Sequence, residues 1–156
     1  MGKNSLISNE KARRRQFGLH LTSIDIFYKY IVPEIKELLK NYLWVDLYAG
    51  EGNLILPILN EIPTGDRESF FQSHIFLFDV QEDMVQKCIK NAEIYGISRE
   101  IAEQNIKTRD NLENFPQILK QQKYPIFHIT NPPYLYLGYI RKHVETQKYL
   151  YYFEKE

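Results

Sequence analysis

"LWVDLYAGEGN", residues 43–53, decides how this chain is read. It begins as a short apolar run closed by Ala49-Gly50, the pattern of a buried strand over 43–50. Gly50-Glu51-Gly52 then marks a bend, because glycine adopts backbone angles closed to other residues and lets another group approach the main chain. "NLILPILNEI" (53–62) follows as a helix that Pro57 makes short or bent. The N-terminus of that helix would offer free N–H groups to a carboxylate or phosphate. Taken alone, the G-x-G leaves two readings open: a tight strand-to-helix turn with no ligand, or the start of a nucleotide site. A nicotinamide-dinucleotide fingerprint would place a third glycine at position 55, where Ile55 stands.

Upstream, "LTSIDIFYKYIVPEIKELLKN" (21–41) reads as a helix. Thr22 or Ser23 is the candidate N-cap and Asp25 lies in the first turn, while Ile24, Phe27, Ile31, Ile35, Leu38 and Leu39 recur at helical spacing. Pro33 falls inside that pattern and is expected to kink or split it. Downstream, "TGDRES" (64–69) reads as a surface loop and "HIFLFDV" (74–80) as a second buried strand. "QEDMVQKCIKNAEIYG" (81–96) is a helix whose apolar face carries Met84, Val85, Cys88, Ile89, Ala92 and Tyr95, with Gly96 as its stop. "NIKTRDN" (105–111) is a weaker strand, and "LENFPQILKQQ" (112–122) a helix or turn-rich connection. "YPIFHIT" (124–130) is a fourth strand, and the tail 139–156 reads as helical.

Strands alternating with helices imply right-handed crossovers and a parallel sheet, an α/β fold of Rossmann-like type. Ligands of such sheets collect at the carboxyl ends of the strands, beside the reversal in strand order. That rule selects Asp46 to Gly52, Asp79, Asp110 with Asn111, and Asn131 to Tyr134. At Asp79 two compatible readings stay open: an acceptor for ribose hydroxyls, or an N-cap for the helix from 81. The fourth strand ends at Asn131-Pro132-Pro133-Tyr134, where proline cannot donate a ladder hydrogen bond.

Bulk properties narrow the classes. The 156 residues are 44% hydrophobic and 26% charged, enough for one core, and the 20 basic and 20 acidic residues cancel, so no global field attracts nucleic acid. Local basic runs remain in "KARRRQ" (11–16) and "RKH" (141–143), each a solvated surface or a phosphate contact. A single cysteine excludes a disulfide framework and a cysteine-cluster metal site. His20, His74, His128 and His143 show no metal-ligand spacing. The absence of a run near the ~20 apolar residues of a membrane span, and of a signal-like N-terminus, points to a cytoplasmic protein with no membrane partner.

The chain resembles the class I S-adenosylmethionine-dependent methyltransferases, and among them the DNA adenine-N6 (amino) methyltransferases of restriction-modification systems. "VDLYAGEGN" looks like their first cofactor motif, D-x-x-x-G-x-G, and "FDV" like the second. "RDN" falls where their third motif holds the cofactor's adenine, and "NPPY" matches their catalytic motif. "RRQFGLHLTS" (14–23) is similar to the segment preceding the first motif, with Ser23 where the family has proline. The resemblance implies S-adenosyl-L-methionine as cofactor, bound by Thr22, Asp46, Ala49, Gly50, Gly52, Asp79, Val80, Asp110, Asn111 and Asn131. It implies catalysis by Asn131, Pro132, Pro133 and Tyr134 on the exocyclic amino group of adenine in double-stranded DNA. In that chemistry the Asn131 side-chain oxygen and the Pro132 carbonyl accept the two amino hydrogens, and Tyr134 stacks on a base turned out of its duplex. Cytosine-C5 methylation would need a Pro-Cys nucleophile, whereas Cys88 lies mid-helix on an apolar face.

Enzymes of this family have seven strands and a target-recognition region, whereas four strands are legible here. The expectation is one partial catalytic domain over 1–156, with a basic arm at 1–22 and no recognition domain. The expected forms are an N-terminal fragment from a truncated reading frame, or one half of a split enzyme whose second chain would supply the missing strands and target recognition. Rival readings keep the amino chemistry on protein glutamine or RNA guanine, or make the chain an inactive remnant or accessory subunit; a nucleotide-dependent oxidoreductase is more distant.

Overall fold

Four apolar stretches extend into strands: β1 (Leu43–Asp46), β2 (Ile75–Asp79), β3 (Ile106–Thr108) and β4 (Ile126–His128). The computed structural model describes residues 24–112, 115–132, 141–142, 144–148 and 150. The chain divides into two units, Leu21–Pro132 and Met1–His20 with Pro133–Glu156. The first holds the sheet, whose strands are all parallel and ordered β3-β2-β1-β4. Every residue of β1 and β2 is buried, which is why both read as continuous apolar runs without alternation. The α/β fold expected from the sequence is the one observed.

The strand order explains how the core divides. From β1 the chain steps outward through β2 to β3, then returns to lay β4 on the opposite flank of β1. Right-handed crossovers place the first two connections on one face and the third on the other. Trp44, Ile75 and Leu77 accordingly join a large cluster with the helices between the first three strands. Leu43, Val45, Phe76 and Phe78 face Leu119, from the single 3-10 turn Gln117–Gln121 that precedes β4. The reversal falls between β1 and β4, whose register pairs Val45 with His128.

The leading helical rod changes type instead of breaking. It runs as α at Ile24–Ile26, π at Phe27–Ile31, α at Val32–Ile35 and 3-10 at Lys36–Asn41. Pro33 has no N–H for the usual bond four residues back, and the preceding turn widens so that the Val32 N–H reaches the Phe27 carbonyl. Phe27, Val32, Ile35 and Leu39 stay buried along it. Trp44 anchors the sheet to this rod by donating its ring N–H to the Leu39 carbonyl at 2.8 Å.

Several expected elements differ. The helix over 53–62 is a 3-10 helix confined to Leu56–Glu61, with Pro57 in its first turn. The loop expected at 64–69 is a 3-10 turn, Thr64–Asp66, leading into helix α1 (Arg67–His74). Helix α2 (Glu82–Ile94) buries Met84, Val85, Cys88, Ile89 and Ala92 as its spacing predicts. It stops by main-chain bonds from Gly96 to Glu93 and from Ile97 to Ala92, with Gly96 at φ +89°. A further helix, α3 (Arg99–Asn105), was not legible. Its Asn105 amide donates to the carbonyls of Gln72 and Ile75 at the junction of α1 with β2, and to that of Phe71, which also accepts the Ile75 N–H. Each strand is shorter than the stretch read for it: β1 ends at Asp46, and β2, β3 and β4 lose residues at both ends. In the second unit a short helix covers Val144–Gln147; the arm 1–22 and most of the tail lie outside the described residues. No helix among the described residues is long and apolar enough to cross a membrane.

Candidate functional site

Asp46 closes β1 with 1% of its surface exposed. One of its oxygens, Oδ1, accepts the Tyr48 N–H at 2.9 Å and the Thr130 hydroxyl at 2.7 Å. Burial pushes its pKa from 3.8 up to about 6; the Tyr48 and Thr130 bonds oppose the rise, and the charge of Asp79 adds to it.

From Tyr48 the chain bends through Gly50 at φ +54° and Gly52 at φ +85°, both in the left-handed region. Asp79, at the end of the neighbouring strand β2, clasps this bend. Its Oδ2 accepts the Gly50 N–H at 2.9 Å and its Oδ1 the Gln81 N–H at 2.9 Å. Burial raises the Asp79 pKa, and the backbone N–H groups of Gln81 and Gly50 pull it back. Asp79 is therefore not the N-cap of α2: Gln81 occupies that position without a side-chain cap, and Asp79 shapes the turn that leads into it. Ala49 is fixed as well, its N–H donating to the Phe78 carbonyl at 2.8 Å.

The expected helix N-terminus behind the bend is not formed. The Gly52 N–H turns back to the Ala49 carbonyl, the Leu56 N–H closes onto the Gly52 carbonyl, and the 3-10 helix begins only at Leu56. Gly52 is required for its angle and for its neighbours. A Cβ there would come within 2.5 Å of Leu56 Cδ1 and 2.8 Å of Cys88 Sγ. Cys88 belongs to the core beneath the bend, and burial, with the charges of Asp46, Asp79 and Glu51, raises its pKa so that it stays a thiol. Sequence reading missed the outer support of the bend, where the Glu51 carbonyl accepts the Asn91 amide at 2.8 Å and the Glu51 carboxylate pairs with Lys87 at 3.3 Å.

Beyond β3, Asn111 reaches 64 residues back in sequence to donate its amide to the Leu47 carbonyl at 2.6 Å. Its Oδ1 is buried with no hydrogen-bond partner among the described residues. Asp110 accepts the Leu112 N–H at 3.2 Å, and Val80, after Asp79, exposes 43% of its surface. Beyond β4, Asn131 is half-buried and Pro132 exposed. Thr22, Pro133 and Tyr134 lie outside the described residues.

No protein-family model and no curated protein matches this chain. The geometry must therefore speak through its residues. Direct hydrogen bonds knit Asp46, Gly50 and Asp79 and their neighbours into one edge, and Thr130 ties the residue before Asn131 to Asp46. Two buried carboxylates, an unpaired amide oxygen and an exposed valine occur along the strand ends. Chemically, this edge offers acceptors for polar N–H or O–H donors and an apolar surface. His74 contributes nothing here, because it sits between the rings of Phe70 and Tyr124 with Nδ1 at 2.9 Å from the Tyr42 carbonyl.

Proposed function

We propose that this chain is the cofactor-binding part of an S-adenosylmethionine-dependent amino methyltransferase, with adenine N6 in double-stranded DNA as acceptor. The observation that carries the reading is the adjacency of β1 and β4 at the reversal of strand order, with the glycine bend following one strand and Asn131-Pro132 the other. Parallel α/β sheets bind ligands at such a reversal.

The residues fit the cofactor by one independent feature. Asn111 Oδ1 is a buried acceptor with no donor among the described residues, and it lies in the segment that resembles the motif holding the cofactor's adenine. Leaving such an oxygen unpaired costs about 1–3 kcal/mol, which a ligand's N–H would recover. Beside its bonds from the backbone N–H groups of Gly50, Val80 and Gln81, the Asp79 carboxylate has lone-pair capacity to accept a ribose hydroxyl, and the exposed Val80 offers an apolar contact to a ring. When bound, the cofactor supplies an electrophilic methyl group.

On the acceptor side Asn131 Oδ1 and the Pro132 carbonyl would each accept a hydrogen bond from one N–H of the amino group. They favour its pyramidal form and offset the positive charge that develops on nitrogen. Fixed acceptors aimed at developing charge are worth ~2–4 kcal/mol each, by analogy with oxyanion donors. The Cys88 thiol takes no part in a covalent route, being buried and held protonated.

A second reading is favoured by one observation: Asp79 and Gly52 have complete structural reasons to be what they are. A remnant that keeps the fold and has lost the cofactor would retain both. Calorimetric titration with S-adenosylhomocysteine separates the two. Binding with a submillimolar dissociation constant is expected, weakened at least tenfold in Asn111→Leu; no heat up to millimolar ligand would leave the remnant. A tritiated methyl donor offered with DNA, RNA or a glutamine-bearing protein then identifies the acceptor. The chain alone is expected not to methylate DNA with sequence specificity.

A further inference from the structure

The motifs leave Thr130 unassigned, although it stands between β4 and Asn131. Main-chain pairing of β1 with β4 runs through the Ile129 N–H, which donates to the Val45 carbonyl at 3.1 Å. Thr130 adds a bond of a different kind one residue later, its hydroxyl donating to Asp46 Oδ1 at 2.7 Å. The same oxygen accepts the Tyr48 N–H that opens the glycine bend. One carboxylate oxygen thus gathers the starts of both bends. After Thr130 the chain enters Asn131 and Pro132, and proline brings no N–H with which to continue the ladder.

We propose that Thr130 and Asp46 form a positioning pair, in which the Thr130 hydroxyl sets the placement of Asn131 and Pro132 relative to the glycine bend. The pair touches no reacting atom in this scheme and acts through Asn131; its role in transfer rests on the methyltransferase reading above. The geometry suits that role. Asp46 is buried and fixed by its own strand, whereas Thr130 is largely exposed and needs an external reference. A charge-assisted bond from a hydroxyl to a carboxylate is both short and directional, so it constrains angle as well as distance.

The test needs no cofactor. In the isotopically labelled full chain, Thr130→Val is expected to shift and broaden the Asn131 backbone and side-chain amide signals. Exchange protection at the Ile129 N–H should fall by about tenfold, the factor expected from losing one such bond. Thr130→Ser, which keeps the hydroxyl, should restore both, a rescue that a merely space-filling threonine would not produce. Thr130→Ala gives the same expected loss should the valine variant fail to fold. Unmoved Asn131 signals in the hydroxyl-free variants, or a serine variant that restores nothing, would overturn the pair. Any kcat should fall at least tenfold in Thr130→Val, a larger factor than the loss of S-adenosylhomocysteine affinity. Loss of affinity with unchanged kcat would overturn the acceptor-side role. Failure of the wild type to bind S-adenosylhomocysteine would end the methyltransferase reading alone, since the resonance measurement reads the tether without ligand.

Discussion

The two bends at the carboxyl edge of the sheet are built in opposite ways. The glycine bend is closed on itself: Asp79 holds Gly50, Ala49 hydrogen-bonds to β2, and Gly52 is seated against Leu56 and Cys88 with no room for a methyl group. The described residues after β4 are less buried. Thr130 and Pro132 are exposed, and the Thr130 hydroxyl links this segment to Asp46 across 84 residues of sequence. A buried half beside a more exposed half suits a site in which one ligand is bound steadily and a second must be accommodated. It also means that substitutions in the two halves should fail differently, the first in stability and the second in placement.

The largest expected effect lies in the rigid half. Gly52→Val places a branched side chain where a Cβ alone would meet Leu56 at 2.5 Å, on a backbone at φ +85°. Overpacking costs typically 1–3 kcal/mol and the backbone strain a similar amount, so a loss of about 3 kcal/mol or more is expected in urea denaturation. A loss below about 1 kcal/mol would mean that the bend is as yielding as its counterpart, and the contrast between the halves would disappear.

The next effect tests the carboxylate the two halves share. The Asp46 pKa is raised from 3.8 to about 6 on folding, so between those values the folded state binds more protons than the unfolded. The contribution of Asp46 is therefore fully present below about pH 4 and lost as the pH rises through about 6. Two units correspond to about 3 kcal/mol, and Asp79, raised in the same direction, adds to the slope. Glu68, Glu82 and His128, whose pKa values are lowered on folding, oppose this slope, so the difference between wild type and Asp46→Asn carries the test: the advantage of wild type over the variant should fall from pH 4 to pH 7. A difference that does not change over this interval would show Asp46 to be ionised without penalty, and the buried hub would have to be redrawn.

The same contrast explains what was legible in the sequence. β1 and β2 could be read because strands buried on both faces become unbroken apolar runs, and the glycines were legible because their angles are. α2 was legible since thirteen residues are enough for its five buried positions to show a period. α1 and α3 were not: in eight and seven residues, the adjacent Phe70 and Phe71 or the lone Ala102 give no periodicity. Of the site, the residue types at the strand ends could be read, but not their bonds. Nothing local tells that Asp79 serves Gly50, that Asn111 serves Leu47, or that Thr130 serves Asp46, because each pair lies 29 or more residues apart.

The smallest expected effect marks where the closed half ends. Glu51, between the two glycines, meets Lys87 at 3.3 Å, with the lysine side chain 50% exposed. An exposed pair gains little Coulomb energy in water and must hold two long side chains in one geometry, leaving 0–1 kcal/mol. Lys87→Ala should therefore change stability by less than about 0.5 kcal/mol at moderate salt, and less still at high salt. What holds Glu51 is its carbonyl, which accepts the buried side of the contact from Asn91 at 2.8 Å. Asn91→Ala should accordingly cost more than Lys87→Ala, because it removes a main-chain tether and not a screened charge. The opposite ranking in a salt series would make the bend's rigidity electrostatic, and so adjustable by ionic strength, where the bonds from Asp79 and Asn91 make it steric and hydrogen-bonded.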